Sequence, residues 1–99
     1  MNVSALDRPI VSRGSRPRLP KHVRLHFDRL RGAWALLSPE KVLWPDEVSL
    51  SILRICDGLR TVDEMVGKLA ADYDADRKDI ERDVLVFVQD WSDRMVLKL

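Results

Sequence analysis

Few residues of this sequence could serve catalysis or metal binding. It holds two histidines, His22 and His26, and one cysteine, Cys56. The histidines alternate with apolar residues, which predicts the exposed side of a β-strand, and Cys56 lies among the apolar positions of a helix, which predicts a buried, inert thiol. Neither arrangement matches the spacing of a zinc or iron–sulfur site, so we expect no metal and no cofactor.

The densest charged stretch is acidic and comprises Asp72, Asp74, Asp76, Asp79, Glu81 and Asp83. It does not have the spacing of a calcium-binding loop or the central glycine of one. The dipole at a helix start favours carboxylates there, so the stretch is typical of a solvated helix N-terminus. The sequence also contains no glycine-rich phosphate loop and no Ser–His–acid set. We therefore predict that the protein is not an enzyme.

Composition predicts one soluble globular domain. The chain has 99 residues, of which 45% are apolar and 33% charged, enough for a single core. One cysteine allows no internal disulfide, and no apolar run is long enough for a membrane span or a signal peptide. We expect a cytoplasmic location and no membrane partner.

Charge is unevenly distributed along the chain. Residues 1–44 contain nine Lys or Arg against three acidic residues, whereas residues 45–99 contain eight against thirteen. Two interpretations stay open: an uneven but merely solvated surface, or a dipolar domain that orients its partners.

Alternating apolar residues predict three antiparallel strands at residues 22–28, 33–37 and 41–44. In the first strand, the side chains of Val23, Leu25 and Phe27 would lie on the same face of the sheet, the one that is buried. Pro39 presets the turn of the hairpin formed by the second and third strands. Because residues 1–20 show no sustained periodicity, we predict a flexible basic arm there, followed by one domain over residues 21–99, and we expect deletion of the arm to leave the fold intact.

Helical spacing follows the strands. A first helix over residues 46–57 would be capped by Asp46 and ended by Gly58, and its apolar face would include Val48. A second begins at Thr61, which forms a capping-box pattern with Glu64 and precedes apolar positions up to Tyr73. A third opens near Asp76, and its apolar stripe comprises Ile80, Val84, Phe87, Val88, Trp91 and Met95. Leu85 and Val86 make that stripe wider than one core contact requires, and residues 95–99 could add a short strand.

Three strands followed by three helices predict an α+β, winged helix-turn-helix-like fold. Such folds often bind DNA through the last helix, and a DNA-binding regulator is one alternative. However, residues 76–83 hold four acidic residues against three basic ones, which disfavours phosphate contacts. Two other functions stay open: the protein binds a peptide or another protein, or it is a subunit that only stabilises an enzyme. The fold alone does not decide among these functions.

Four short motifs can be compared with known families: the segment Leu36-Leu37-Ser38-Pro39-Glu40, the helix ending Ile55-Cys56-Asp57-Gly58, the pair Thr61-Val62, and Asp83-Val84 with Phe87. Together they resemble the PqqD family of pyrroloquinoline quinone (PQQ) biosynthesis, whose members are recognition elements for ribosomally made precursor peptides. The resemblance covers about residues 20–99. This sequence departs from the expected pattern at Trp44-Pro45-Asp46 and in its long basic arm.

The resemblance implies a non-catalytic chaperone that binds the precursor peptide PqqA and presents it to the radical S-adenosylmethionine enzyme PqqE, with no nucleic acid partner. The peptide would add as a strand along the third strand and lie against the last helix. Carried onto this chain, the peptide-binding residues would be Lys41, Val42, Leu43, Trp44, Asp83, Phe87, Asp90 and Trp91. Whether the arm supports a homodimer stays open.

Overall fold

The structure, a computed structural model, describes residues 8–99. Three strands precede three helices: β1 (Arg24–Asp28), β2 (Ala33–Leu37), β3 (Val42–Leu43), α1 (Glu47–Arg54), α2 (Val62–Tyr73) and α3 (Arg77–Asp93). The strands form one antiparallel sheet in the order β1-β2-β3. The predicted fold class is therefore confirmed.

One face of the sheet carries the apolar side chains that the helices cover. Leu36 of β2 pairs with Leu25 of β1 and Leu43 of β3, so these three leucines share a face, and Leu36 is fully buried. Phe27 was also predicted to point inward, yet 43% of it is exposed. It pairs with Trp34 beside the β1–β2 turn, where the two ring centroids lie 5.4 Å apart.

Strand β3 has two residues rather than the predicted four. Lys41 belongs to the turn, where its carbonyl accepts a hydrogen bond of 3.0 Å from the amide of Ser38. Trp44 lies beyond the strand because Pro45 has no amide proton to donate and Asp46 already caps α1.

Each helix begins where its capping residue predicts. Asp46 and Asp76 accept hydrogen bonds from the amides of Ser49 and Lys78, and Thr61 forms the complete capping box with Glu64. The buried faces of the helices form one core with Val23, Leu36 and the C-terminal Val96 and Leu97. None of the helices in residues 8–99 is both long enough and apolar enough to span a bilayer.

The ends of α1 and α3 differ from the predictions. Helix α1 ends at Arg54, and Gly58 instead adopts φ +77° in the following turn, where its amide donates a 2.9 Å hydrogen bond to Pro17. Helix α3 ends before Met95, which has φ +65° and is 81% exposed rather than part of the apolar stripe.

Residues 8–20 pack against the rest of the chain, so the prediction of a flexible arm is wrong for them. Pro17 is buried. Arg18 exchanges two backbone hydrogen bonds of 2.8 Å with Lys98, and the amide of Val62 donates to Ser15 over 2.8 Å. The expected C-terminal strand is thus reduced to a single bridge at Lys98. The first seven residues of the predicted arm lie outside the described residues.

Candidate peptide-binding site

The predicted peptide-binding strand lies at an edge of the sheet. Strand β3 pairs with β2 on one side, and within residues 8–99 no strand pairs with its other side. An open strand edge presents backbone amides and carbonyls that can pair with an added strand.

The register of the hairpin determines which backbone groups point outward. The Ser38 amide bonds to the Lys41 carbonyl, so these residues form a hydrogen-bonded pair beside the turn. Hydrogen-bonded and non-bonded pairs alternate in antiparallel sheets. Leu43 is therefore again in a bonded pair with β2, whereas the amide and carbonyl of Val42 point to the open edge. Continuing the alternation, the backbone of Trp44 points the same way.

The side chains of Val42 and Trp44 are exposed by 50% and 44%. Val42 alternates with Leu43, so its side chain lies on the sheet face opposite the core. The guanidinium carbon of Arg31, from the β1–β2 turn, lies 4.8 Å from the centroid of a Trp44 ring. Trp44 is thus held by the turn, and Lys41 is exposed.

The four predicted residues of α3 are brought together by the structure. Asp83, Phe87, Asp90 and Trp91 line one shallow depression along this helix. The rings of Phe87 and Trp91 stack with centroids 4.7 Å apart. Trp91 is only 9% exposed and belongs to the core, whereas Phe87 is half-buried at its margin. The depression therefore has an aromatic floor, and its sides carry Asp83, Asp90 and the basic side chain of Arg82.

Val86 also lines this depression and is 65% exposed, although it is absent from the predicted site. The signal was present in the sequence, because Leu85 and Val86 widen the apolar stripe of α3. An exposed aliphatic side chain beside Phe87 adds apolar surface that a bound peptide could cover.

A second cavity, of about 220 Å³, lies among the three helices, and Asp83 lines both cavities. Its wall includes Val48 of α1 and Tyr73 of α2, which are 59% and 45% exposed rather than buried as helical spacing predicted. The Tyr73 hydroxyl lies 2.5 Å from the Ser51 hydroxyl, so this hydrogen bond fixes the ring. Apart from Asp83 and the Tyr73 hydroxyl, the lining is apolar and could accept an apolar side chain.

Strand β3 and α3 border the same core. Leu43 and Phe87 both pack against the buried cluster that contains Leu36 and Val84. The sequence-predicted residues therefore fall into two sets, an open strand edge and an apolar helix face, each attached to that cluster.

The remaining candidates for chemistry are the Cys56 thiol and the acidic side chains. Burial, with a smaller contribution from the charge of Asp57, raises the pKa of the Cys56 thiol to about 12, which keeps it protonated at neutral pH. The residues from 8 to 99 contain no group of three or more His, Cys, Asp or Glu side chains placed to hold a metal ion.

Residues 33–97 match the family model described as "Coenzyme PQQ synthesis protein D (PqqD)". The chain belongs to the PqqD family. A family member from Rhodopseudomonas palustris (strain TIE-1), called "PqqA binding protein", is 50% identical over 84 residues, which cover 85% of this chain and 82% of that protein. A protein of the same name from Xanthomonas oryzae pv. oryzae (strain PXO99A) is 38% identical over 89 residues, which cover 90% of this chain and 97% of that protein.

Two solved PqqD structures share the fold. The solution structure of the PqqD part of Methylobacterium extorquens PqqCD, described as a functional, stand-alone recognition element for ribosomally synthesised and modified peptides, superposes with a TM-score of 0.76. It is 36% identical and covers 90% of this chain and 95% of its own. The crystal structure of PqqD from Xanthomonas campestris superposes with a TM-score of 0.57 and is 37% identical. The match covers 90% of this chain and 99% of that one. The two relatives called "PqqA binding protein" and the Methylobacterium extorquens recognition element are named for binding, in agreement with the prediction of a non-catalytic protein.

Proposed function

We propose that this PqqD family member binds the precursor peptide PqqA in PQQ biosynthesis and presents it to the radical S-adenosylmethionine enzyme PqqE. The observation that carries the proposal is the open edge of β3, which borders the same core as the apolar face of α3. The names of the relatives supply the identity of the peptide.

In the proposed complex the peptide extends the sheet as a fourth strand. Its backbone bonds to the outward amide and carbonyl of Val42, and then to those of Trp44. Main-chain bonds supply affinity in this mode, and alternate side chains supply specificity. Those on the core side would contact Phe87 and Val86, while Asp83 and Asp90 would face basic groups of the peptide. Lys41 and Leu43, whose backbone groups face β2, would contribute through side chains only.

Presentation to the enzyme requires no chemistry from this chain, since the proposed role is to hold the peptide in an extended conformation. A cytoplasmic location, where a free thiol such as Cys56 stays reduced, is part of the same proposal. A homodimer formed through the N-terminal arm would require residues 8–20 to be exchanged between two copies. Because that segment already finds its partners within one chain, we propose a monomeric binding unit.

The test is a titration of the purified protein with fluorescently labelled PqqA, with a scrambled PqqA peptide and with random duplex DNA. We expect saturable binding to PqqA alone. Saturable DNA binding that weakens steeply with salt would instead favour the winged-helix regulator. Equal affinity for PqqA and its scrambled form would refute specific recognition.

A further inference from the structure

The β1–β2 turn presents a leucine to solvent on a rigid frame. The carboxylate of Asp28 accepts hydrogen bonds from the amides of Leu30 and Arg31, at 2.9 and 3.1 Å, and Gly32 takes φ +62°. Leu30 is 100% exposed between Arg29 and Arg31. A fully exposed apolar side chain held in a fixed position contributes nothing to the core of this chain.

Basic side chains surround this turn and the sheet face behind it. Residues 21–44 contain two acidic residues, Asp28 and Glu40, against five cations, namely Lys21, Arg24, Arg29, Arg31 and Lys41. Among residues 8–99, Arg31 is the one of these five that forms an ion pair, at 3.5 Å from Asp28. By contrast, residues 61–93 hold ten acidic residues against four basic ones. The sheet and the helices therefore carry opposite charge.

We propose that the outer sheet surface, comprising Arg29, Leu30, Arg31, Val42 and Trp44, docks a protein partner through an acidic surface with an apolar pocket for Leu30. Arg and Trp are the side chains that most often dominate protein interfaces, and Trp44 is already oriented by Arg31. The acidic helices would repel such a partner and so direct it toward the sheet.

The identity of the partner rests on the proposed function. A peptide strand added to β3 would continue the same sheet, so every second side chain of it would lie on the face that carries the Val42 side chain. A protein docked on the outer sheet surface would then contact the bound peptide directly. We infer that the partner is the enzyme that modifies the peptide.

The chain contains a matched control for Leu30. In the turn after α1, Asp57 accepts hydrogen bonds from the amides of Leu59 and Arg60 and forms an ion pair with Arg60, as Asp28 does with Arg31. Leu59 is 75% exposed. Leu30→Glu and Leu59→Glu therefore make the same change in the same local structure at two places on the molecule.

The experiment measures the affinity of full-length variants for the purified modifying enzyme and, separately, for the precursor peptide. We expect Leu30→Glu and Arg29→Glu to weaken enzyme binding at least about tenfold, as loss of an interface anchor does. Leu59→Glu and Lys78→Glu, which make the same charge changes elsewhere, should stay within about twofold. Peptide affinity should be unchanged in all four variants.

Equal enzyme affinity for Leu30→Glu and Leu59→Glu would overturn this inference while leaving peptide binding intact. Absence of peptide binding by the unmodified protein would instead refute the proposed function. Two further arms test other occupants. Sedimentation with anionic phosphatidylglycerol vesicles that is lost in Leu30→Glu would assign the surface to a membrane, and self-association lost in that variant would assign it to a second copy.

Discussion

Phe87 and Trp91 stack on each other yet face different environments. Trp91 is 9% exposed within the core cluster, whereas Phe87 packs at the margin of that cluster beside the 65%-exposed Val86. Their helical spacing alone cannot separate a core role from a binding role. Burial separates them, and it assigns the stability of this face mainly to Trp91.

Truncation of the buried Trp91 and of the exposed Val86 should therefore have two different effects. We expect Trp91→Ala to lower the free energy of unfolding by about 3–5 kcal/mol, as for other buried aromatic residues. Val86→Ala should leave it nearly unchanged and weaken peptide binding by about 1–2 kcal/mol. Denaturant melts and peptide titrations of both variants measure this. A Val86→Ala protein that binds the peptide normally would place the groove elsewhere.

The helix caps also predict how stability depends on pH. Hydrogen bonds lower the pKa of three exposed carboxyl groups, with donors at Ser49 for Asp46, at Arg60 and Leu59 for Asp57, and at Thr61 for Glu64. A lowered folded-state pKa stabilises the fold above the ordinary values of 3.8 and 4.5, and this stabilisation is lost as pH falls through the lowered values.

We expect unfolding midpoints to decrease as the pH is lowered below about 4, and the decrease to be smaller in a triple variant, Asp46→Asn, Asp57→Asn and Glu64→Gln. Asn and Gln keep the capping geometry but do not titrate in this range. Parallel thermal melts between pH 2.5 and 7 check this. Identical slopes in the two proteins would show that other carboxyl groups control acid unfolding.

At the scale of elements, consecutive residues of β3 direct their backbone amides and carbonyls to opposite edges of the strand. The backbone of Leu43 pairs with β2, and that of Val42 points to the open edge. A proline at either position removes one amide proton, but only at Leu43 does the sheet itself lose a hydrogen bond.

Val42→Pro should therefore weaken peptide binding at least about tenfold while the chain stays folded, because one main-chain bond to the added strand is lost. Val42→Ala controls for the side chain, and Leu43→Pro should instead destabilise the hairpin. Circular dichroism melts and peptide titrations of the three variants distinguish these effects. Normal binding by folded Val42→Pro would exclude strand addition at this edge.

The starts of the three helices could be predicted from sequence, whereas the ends of α1 and α3 could not. Asp46, Thr61 and Asp76 bond to amides two or three residues ahead, so a local pattern is sufficient. Gly58 was misassigned because its positive φ serves contacts with Pro17 and Arg18, about forty residues earlier in the chain. The family resemblance, rather than helical spacing, pointed to the candidate residues of α3, and the outward backbone of Val42 depends on the register of the hairpin.

At the scale of the whole molecule, residues 8–20 tie the helices together. The side-chain amide of Gln89 on α3 bonds to the backbone of Pro9 and Val11, at 3.0 and 2.9 Å. Arg13 pairs with Glu81 at 2.9 Å. The sequence of residues 8–20 has no periodic pattern of apolar residues, because this segment pairs with the backbone of distant residues rather than forming a helix or strand of its own.

A protein that starts at Pro20 should be less stable by several kcal/mol, at least about 3, because the burial of Pro17 and five backbone hydrogen bonds to later residues are lost. A protein that starts at Arg8 keeps every contact described above and is the control. Denaturant unfolding of both, followed by tryptophan fluorescence, measures the difference. Coincident curves would mean that the segment adds nothing to the stability of the core.

The pairing of Arg18 with Lys98 also has a consequence for the order of events during synthesis. Arg18 leaves the ribosome long before Lys98, so these two backbone hydrogen bonds cannot form until Lys98 has also been released. The sheet and the first two helices involve neighbouring parts of the chain and can form earlier. Pairing of Arg18 with Lys98 would then be among the last steps of folding.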